Sequence, residues 1–356
     1  MKTKLVYVLT CSPEKNYIEQ AVMATFSCRY HNPDAHIVLI VDDQTNHLIE
    51  NGRGVILNYV DEKIVVNFSD NSTMMYRSRW IKTSIRSLIE GDFLYIDCDT
   101  IVCKPLDMVD SLACEVGAVY ESHLLVEDFC DGLYEAASKA NAQIGVDLSK
   151  EKEYFSSGVL YVKDSSNAHQ LYSFWHQSWL ESIQLGLPID QPSLAKANRE
   201  SGHLIKKISD TFNCILFTQN SFTRDAHILH ISSYRNPSFL FTGMVLDYVK
   251  NSGLPGWVKD FILHPCDSFL PFDYMVRQST FKDRWDWIKS IAATCKTLSE
   301  ELPNLINEFP MHSLLRKVVL FFFHHNCFYS GAFVWVVWKR LKVLRNDNIK
   351  DNVCRK

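Results

Sequence analysis

Phe93-Leu94-Tyr95-Ile96-Asp97-Cys98-Asp99 joins four apolar residues to two carboxylates spaced one residue apart. The apolar run reads as a strand buried on both faces, the kind that fills the parallel sheet of an α/β protein. If the strand continues, Asp97 and Asp99 share one face and Cys98 points to the other. Carboxylates held side by side repel, and a physical reason to keep them together is a divalent cation with oxygen ligands, one that also carries substrate phosphates. In open α/β sheets ligands bind beyond the carboxyl ends of the strands, where this pair falls. A solvated pair of turn acids accounts for the same three residues, so the surrounding segments carry the weight.

Upstream, the spacing predicts a helix over about 72–89, with Trp80, Ile81, Ile85, Leu88 and Ile89 as its buried stripe. Arg79, Lys82 and Arg86 fall on another face; Arg86 reads as solvated, while Arg79 and Lys82 lie nearer the helix start, within reach of an anion. Glu90-Gly91-Asp92 ends that helix just before the acidic strand. Apolar runs of strand length recur at 5–9, 37–41, 64–68, 93–96, 116–120, 158–162 and 227–231. Between the first two, Ile18, Val22, Met23 and Phe26 repeat at helical spacing. This alternation predicts an α/β domain over 1–265, followed by a mainly helical region over 266–356.

Composition narrows the partners. With 47% hydrophobic and 22% charged residues in 356, the chain has the means to bury a large core. A formal net charge of -4 gives no electrostatic case for nucleic acid. The eleven cysteines show no Cys-x-x-Cys and no regular spacing, which suits reduced thiols in a cytoplasm rather than a disulfide framework or a structural zinc. Leu5–Thr10 is short and lacks a small-residue cleavage site, so it reads as a first strand rather than a leader. The stretch 318–338 has spanning length and basic flanks, Arg316-Lys317 and Lys339-Arg340, but His324, His325 and Asn326 lie near its middle, where polar groups are costly in lipid. Two readings stay open there: peripheral membrane contact through 311–345, at the inner face, or helices packed on the main domain.

Four further segments would meet the acidic pair at one sheet edge. Asn16-Tyr17 follows the first strand, where an aromatic ring can stack on a base. Tyr154-Phe155-Ser156-Ser157-Gly158-Val159 opens a strand with small residues and a glycine, which permits close backbone approach. Asp190-Gln191 opens a helix after Pro188; both side chains can bond sugar hydroxyls, and an N-cap role also explains the aspartate. His227 and His230 point to opposite strand faces, so one at most joins the site, and a neutral histidine beside two carboxylates suits Mn2+.

In order and content these segments, over roughly residues 1–245, resemble the glycosyltransferase A fold, specifically the nucleotide-sugar-dependent transferases of glycosyltransferase family 8. The resemblance implies that Asn16 and Tyr17 contact the nucleoside and that Arg79 or Lys82 contacts the diphosphate. It implies that Asp97, Cys98 and Asp99 form the metal and donor motif, with His230 as a third ligand of Mn2+ or Mg2+. Asp190 and Gln191 take the catalytic role of orienting donor sugar and acceptor, with retention at the anomeric carbon. Two departures stand out: Ser156 replaces the family's asparagine, and of its His-x-x-Gly-x-x-Lys-Pro-Trp only His230 and Pro237 remain, leaving Arg235 as the substitute for the phosphate-binding lysine.

The resemblance thus implies transfer from a nucleotide-diphosphate sugar, a UDP-sugar, to a saccharide acceptor, and the basic, aromatic tail suggests a lipid-linked saccharide, such as a precursor of a bacterial surface polysaccharide. One rival is a phosphatase of the haloacid dehalogenase type with Asp97 as nucleophile, although Ile101 stands where that motif has Thr or Val and Thr100 comes one place early. The other is a nucleotide-sugar-binding protein without turnover.

Overall fold

The structure is a computed structural model that describes residues 1–265 except 70, 130, 216–224 and 232–242. All of these belong to one unit, Met1–Phe281. Arg235 and the segment 311–345 lie outside the described residues, as does the whole of 266–356.

In chain order the elements are β1 (Lys4–Leu9), α1 (Tyr17–His31), β2 (Ile37–Asp42), α2 (Asp43–Glu50), β3 (Glu62–Val66) and α3 (Met74–Leu88). There follow β4 (Phe93–Ile96), β5 (Thr100–Val102), β6 (Val116–Tyr120), α4 (Asp131–Gln143), β7 (Phe155–Val162) and α5 (Ser166–Gln184). The last are α6 (Gln191–Glu200), β8 (Ile205–Lys207), β9 (Cys214–Ile215), β10 (Ile228–His230), α7 (Gly243–Ser252) and α8 (Gly256–Leu263). Seven strands form one sheet in the order β3-β2-β1-β4-β7-β6-β8, and β5, β10 and β9 form a second. In the large sheet all pairings are parallel except those of β7, which runs against both β4 and β6. The reversal brings the start of β7 to the edge where its neighbours end.

Alternation along the strands builds a core on each face. Leu5, Tyr7 and Leu9 of β1 pack with Ile18, Ala21 and Val22 of α1 and with the second sheet, while Val6 and Val8 pack with Ile81 and Ile85 of α3, Trp175 of α5 and Leu194 of α6. Each Val, Leu or Ile among them contributes about 1.5–3 kcal/mol when fully buried. The α/β expectation therefore holds, with boundary shifts of two residues at β3 and three at β7. Trp80 and Leu88 of the predicted stripe are partly buried, while Ile81, Ile85 and Ile89 are buried.

Two expectations are corrected. Asp97 and Asp99 do not continue a strand: β4 ends at Ile96, and the chain turns through them into β5, which leaves the large sheet to pair with β10. Thr100 Oγ1 closes the turn by donating to the Asp97 carbonyl at 2.8 Å. Arg86 is not solvated. Its side chain is 1% exposed, its guanidinium lies over Phe93 at 4.9 Å, and it faces Asp164 at 3.6 Å while bonding the Ile89 carbonyl. Helical spacing placed it on a polar face, but the polar face of α3 is covered from the β4 side. The strands β5, β8 and β9, two or three residues each, have no period long enough to read.

Candidate active site

The turn after β4 carries Asp97 and Asp99, and the β5–β10 ladder brings His230 to them. His230 pairs with Thr100, and the Ile231 N–H donates to the Asp99 carbonyl at 2.9 Å, so the backbone places the histidine beside the turn. His230 Nε2 lies 3.1 Å from Asp99 Oδ1, and one ligand atom from each of Asp97, Asp99 and His230 falls within 4.8 Å of the others. Burial alone would lower the His230 pKa, but the Asp99 carboxylate outweighs it and raises it. Burial likewise works against the charged form of Asp99, and His230 holds that carboxyl below its ordinary range.

Gly158 makes room for this arrangement. A Cβ there would stand 2.5 Å from His230 Cε1 and 3.0 Å from Asp97 Oδ2, so any side chain would displace the ligands. The backbone of β7 also binds the turn, as the Asp97 N–H donates to the Gly158 carbonyl at 2.9 Å. Two oxygens and one nitrogen in this space fit a divalent cation of borderline character such as Mn2+.

Beside the trio lies a buried charge network. Lys82 Nζ is 3.2 Å from Asp190 Oδ2, 3.5 Å from Asp97 Oδ1 and 3.1 Å from Ser157 Oγ, and its side chain is 3% exposed. Arg79 Nε lies 2.9 Å from Asp190 Oδ1, and Ser157 Oγ donates to Asp190 Oδ2 at 2.9 Å. The Tyr95 hydroxyl donates to Asp97, and Lys82 sits 5.1 Å over the Tyr95 ring. Burial would raise the Asp190 pKa, but Lys82 and Arg79 overcome it and hold the carboxyl well below its ordinary range. Asp190 in turn raises Arg79. Asp97, Asp99 and Asp190 thus lie beside Lys82, Arg79 and His230 in one cluster of charged and polar side chains.

Asp190 precedes α6 but makes no capping bond with its side chain. It is held by Trp175, whose Nε1 donates to its carbonyl at 2.9 Å, and Trp179 donates to the Pro188 carbonyl at 3.2 Å. Buried indoles with satisfied N–H groups fix the loop against α5. Gln191 Nε2 donates to Glu121 Oε2 at 2.7 Å and to the Phe155 carbonyl at 3.1 Å, leaving Oε1 as the amide atom not committed to either. Glu121 sits at the end of β6, before Ser122 and His123, whose φ values of 56° and 59° put two non-glycine residues in the left-handed region. Such backbone costs free energy and is held by surrounding contacts, here His123 Nδ1 with Asp210 at 3.0 Å.

Arg79, Lys82, Asp97 and Asp190 are therefore joined by ion pairs, Asp99 pairs with His230 within 4.8 Å of Asp97, and Gln191 adjoins Asp190 in sequence. Asn16 and Tyr17 are not joined to this network by a hydrogen bond among the described residues: Asn16 Nδ2 donates to Asp247 at 2.7 Å, and Tyr17 packs on the α1 core. Cys98 turns away, its thiol bonding the Val8 carbonyl at 3.3 Å, with burial and the adjacent aspartates pushing its pKa well up. The sequence reading gives no site role to Tyr95, to Glu121 or to Asn213, whose Oδ1 lies 2.9 Å from His230 Nδ1. Tyr95 was open to reading, since it lies two residues before Asp97; the other two sit in segments with no period or motif.

No protein-family model matches the sequence, and no curated protein matches it. Among solved structures the chain is similar to mouse xyloside xylosyltransferase 1 in its apo form, with 11% identity and a TM-score of 0.43 over 65% of this chain and 97% of that one. It is also similar to the galactosyltransferase LgtC in complex with donor and acceptor sugar analogs, with 15% identity and a TM-score of 0.45 over 72% of this chain and 99% of that one. A third similarity is to the glycosyltransferase GlyE of Streptococcus pneumoniae TIGR4, with 17% identity and a TM-score of 0.43 over 74% of this chain and 63% of that one.

Proposed function

We propose that this protein is a glycosyltransferase that moves a sugar from a nucleotide-diphosphate donor, a UDP-sugar, to a saccharide or glycolipid acceptor with retention of anomeric configuration. The observation that carries this reading is the meeting of Asp97, Asp99 and His230 beside the Lys82–Asp190–Arg79 network at the sheet edge where strands end. A divalent cation held by the trio, Mn2+ or Mg2+, would offset the charge that grows on the departing diphosphate.

The chain's own residues supply the rest. Lys82 and Arg79 keep Asp190 ionised and fixed, so its carboxylate is an oriented acceptor for donor-sugar hydroxyls. Gln191, with its amide nitrogen committed to Glu121 and Phe155, offers Oε1 toward the sugar. Asn16, Tyr17 and Arg235 are assigned to the nucleoside and the diphosphate by the sequence resemblance. The tail over 311–345 is assigned to contact with the membrane face where a lipid-linked acceptor would lie.

The phosphatase reading finds less support in the same geometry. Its nucleophile would be Asp97, whose Oδ1 already accepts from Tyr95 and faces Lys82. The deciding test offers a panel of nucleotide sugars with Mn2+ and saccharide acceptors, and reads release of nucleoside diphosphate. Turnover of one donor series is the expected result; release of inorganic phosphate from phosphomonoesters instead would overturn the proposal. Proton NMR of the product anomer checks retention, which an inverted product would refute.

A further inference from the structure

His230 can bind a metal ion through Nε2 only if that nitrogen offers its lone pair, and the proton of the neutral ring must then reside on Nδ1. A proton on Nδ1 needs an acceptor. The atom opposite is Asn213 Oδ1, at 2.9 Å. Asn213 is fully buried at the head of β9, whose parallel pairing with β10 holds it next to the histidine. Its amide is oriented from the far side, where Nδ2 donates to Ser156 Oγ at 3.2 Å. The Gly158 N–H also points to Ser156 Oγ, at 3.4 Å, so the hydroxyl oxygen is presented as an acceptor.

We propose that Asn213, oriented by Ser156, is the positioning residue that fixes the Nδ1–H form of His230 and aims Nε2 at the space shared with Asp97 and Asp99. The inference rests on the metal site proposed above and assigns a role to two residues outside it. Ser156 stands where the resembling family carries asparagine, and here its hydroxyl holds a neighbouring asparagine instead. Partners of this kind on metal-binding histidines set ring orientation and tautomer, and their loss weakens metal binding by about 10–100-fold.

The two atoms of the Asn213 amide have separable duties, and this gives the test its resolution. Asn213→Leu removes the acceptor at similar volume. Asn213→Asp keeps an acceptor facing Nδ1, and the Ser156 hydroxyl can turn to donate to the second carboxylate oxygen. The experiment is a titration of the full chain with Mn2+ alone, read by the EPR signal of the free ion, with thermal melting of each variant without metal. Asn213→Leu should weaken Mn2+ binding about 10–100-fold, while Asn213→Asp binds as tightly as the wild type or more tightly. A residue needed only for packing would not show that split.

Unchanged Mn2+ binding in Asn213→Leu would overturn the inference while leaving the metal site intact, and so would an equal loss in both variants. Absence of Mn2+ binding by the wild type would overturn the metal site and this inference together. Should Asn213→Leu fail to fold, Asn213→Ser takes its place: the shorter hydroxyl does not reach Nδ1, so binding should fall there and survive in the aspartate variant.

Discussion

Adding one methyl group at Gly158 would place a Cβ 2.5 Å from His230 Cε1, 2.8 Å from Nδ1 and 3.0 Å from Asp97 Oδ2. Carbon atoms in favourable contact sit roughly 3.5–4.0 Å apart, so the imidazole must retreat by about 1 Å. It cannot retreat alone, because Nδ1 is bonded to Asn213 at 2.9 Å and Nε2 to Asp99 at 3.1 Å. Forcing a methyl group into packed surroundings of this kind costs about 1–3 kcal/mol. Metal–ligand distances tolerate only about 0.2 Å, so a ligand moved by ~1 Å no longer binds in place. Gly158→Ala should therefore lose about 1–3 kcal/mol in urea unfolding and at least about tenfold in Mn2+ affinity. Gly117→Ala is the matched control: its Cβ would meet Ile208 Cγ2 at 2.6 Å and Cys114 Sγ at 3.0 Å, so it should lose stability and keep Mn2+. A Gly158→Ala protein as stable as the wild type and equally avid for Mn2+ would refute the reasoning.

The charge network gives two further expectations. Lys82→Met takes the shared ammonium from Asp97 and Asp190, and because Asp190 keeps Arg79 and Ser157 the loss should fall below the ~3–5 kcal/mol of a fully unpaired buried charge; urea unfolding that shows less than about 1 kcal/mol would contradict the burial argument. Asp190 has its pKa depressed in the folded state, so its contribution to stability is present above the unfolded value near ~4 and is lost as the pH falls toward the lower folded value. The stability difference between wild type and Asp190→Asn should be widest above about pH 5 and shrink below about pH 4, and a gap that widens in acid would refute the assignment.

How much of this was legible in the sequence follows from the range of each interaction. β1, β2, β4 and β6 are continuous apolar runs, and their burial within one sheet is a property of each run alone, so they were found to within a residue. The short strands β5, β8 and β9 exist because other strands offer them partners, which no local pattern records. A continuing strand would put Asp97 and Asp99 on one face, yet they converge through a turn closed by Thr100. The chemistry survived that error because two carboxylates one residue apart stay close in either geometry. Arg86 failed for the opposite reason: its periodicity was correct, but a polar helix face can be covered by Phe93 and Asp164 brought from elsewhere. Asn213 and Glu121 act on His230 and Gln191 across separations of 17 and 70 residues, and nothing in their own neighbourhoods marks them.

The central claim is that Asp97, Asp99 and His230 hold a divalent cation that in turn holds a nucleoside diphosphate. Calorimetric titration of UDP, GDP and ADP into the wild type and Asp99→Ala, each with and without Mn2+, tests it directly. The account predicts that one nucleotide series binds the wild type only when Mn2+ is present, and that Asp99→Ala loses this binding while remaining folded. Nucleotide binding that is indifferent to Mn2+ and to Asp99, or no binding by any series, would contradict it.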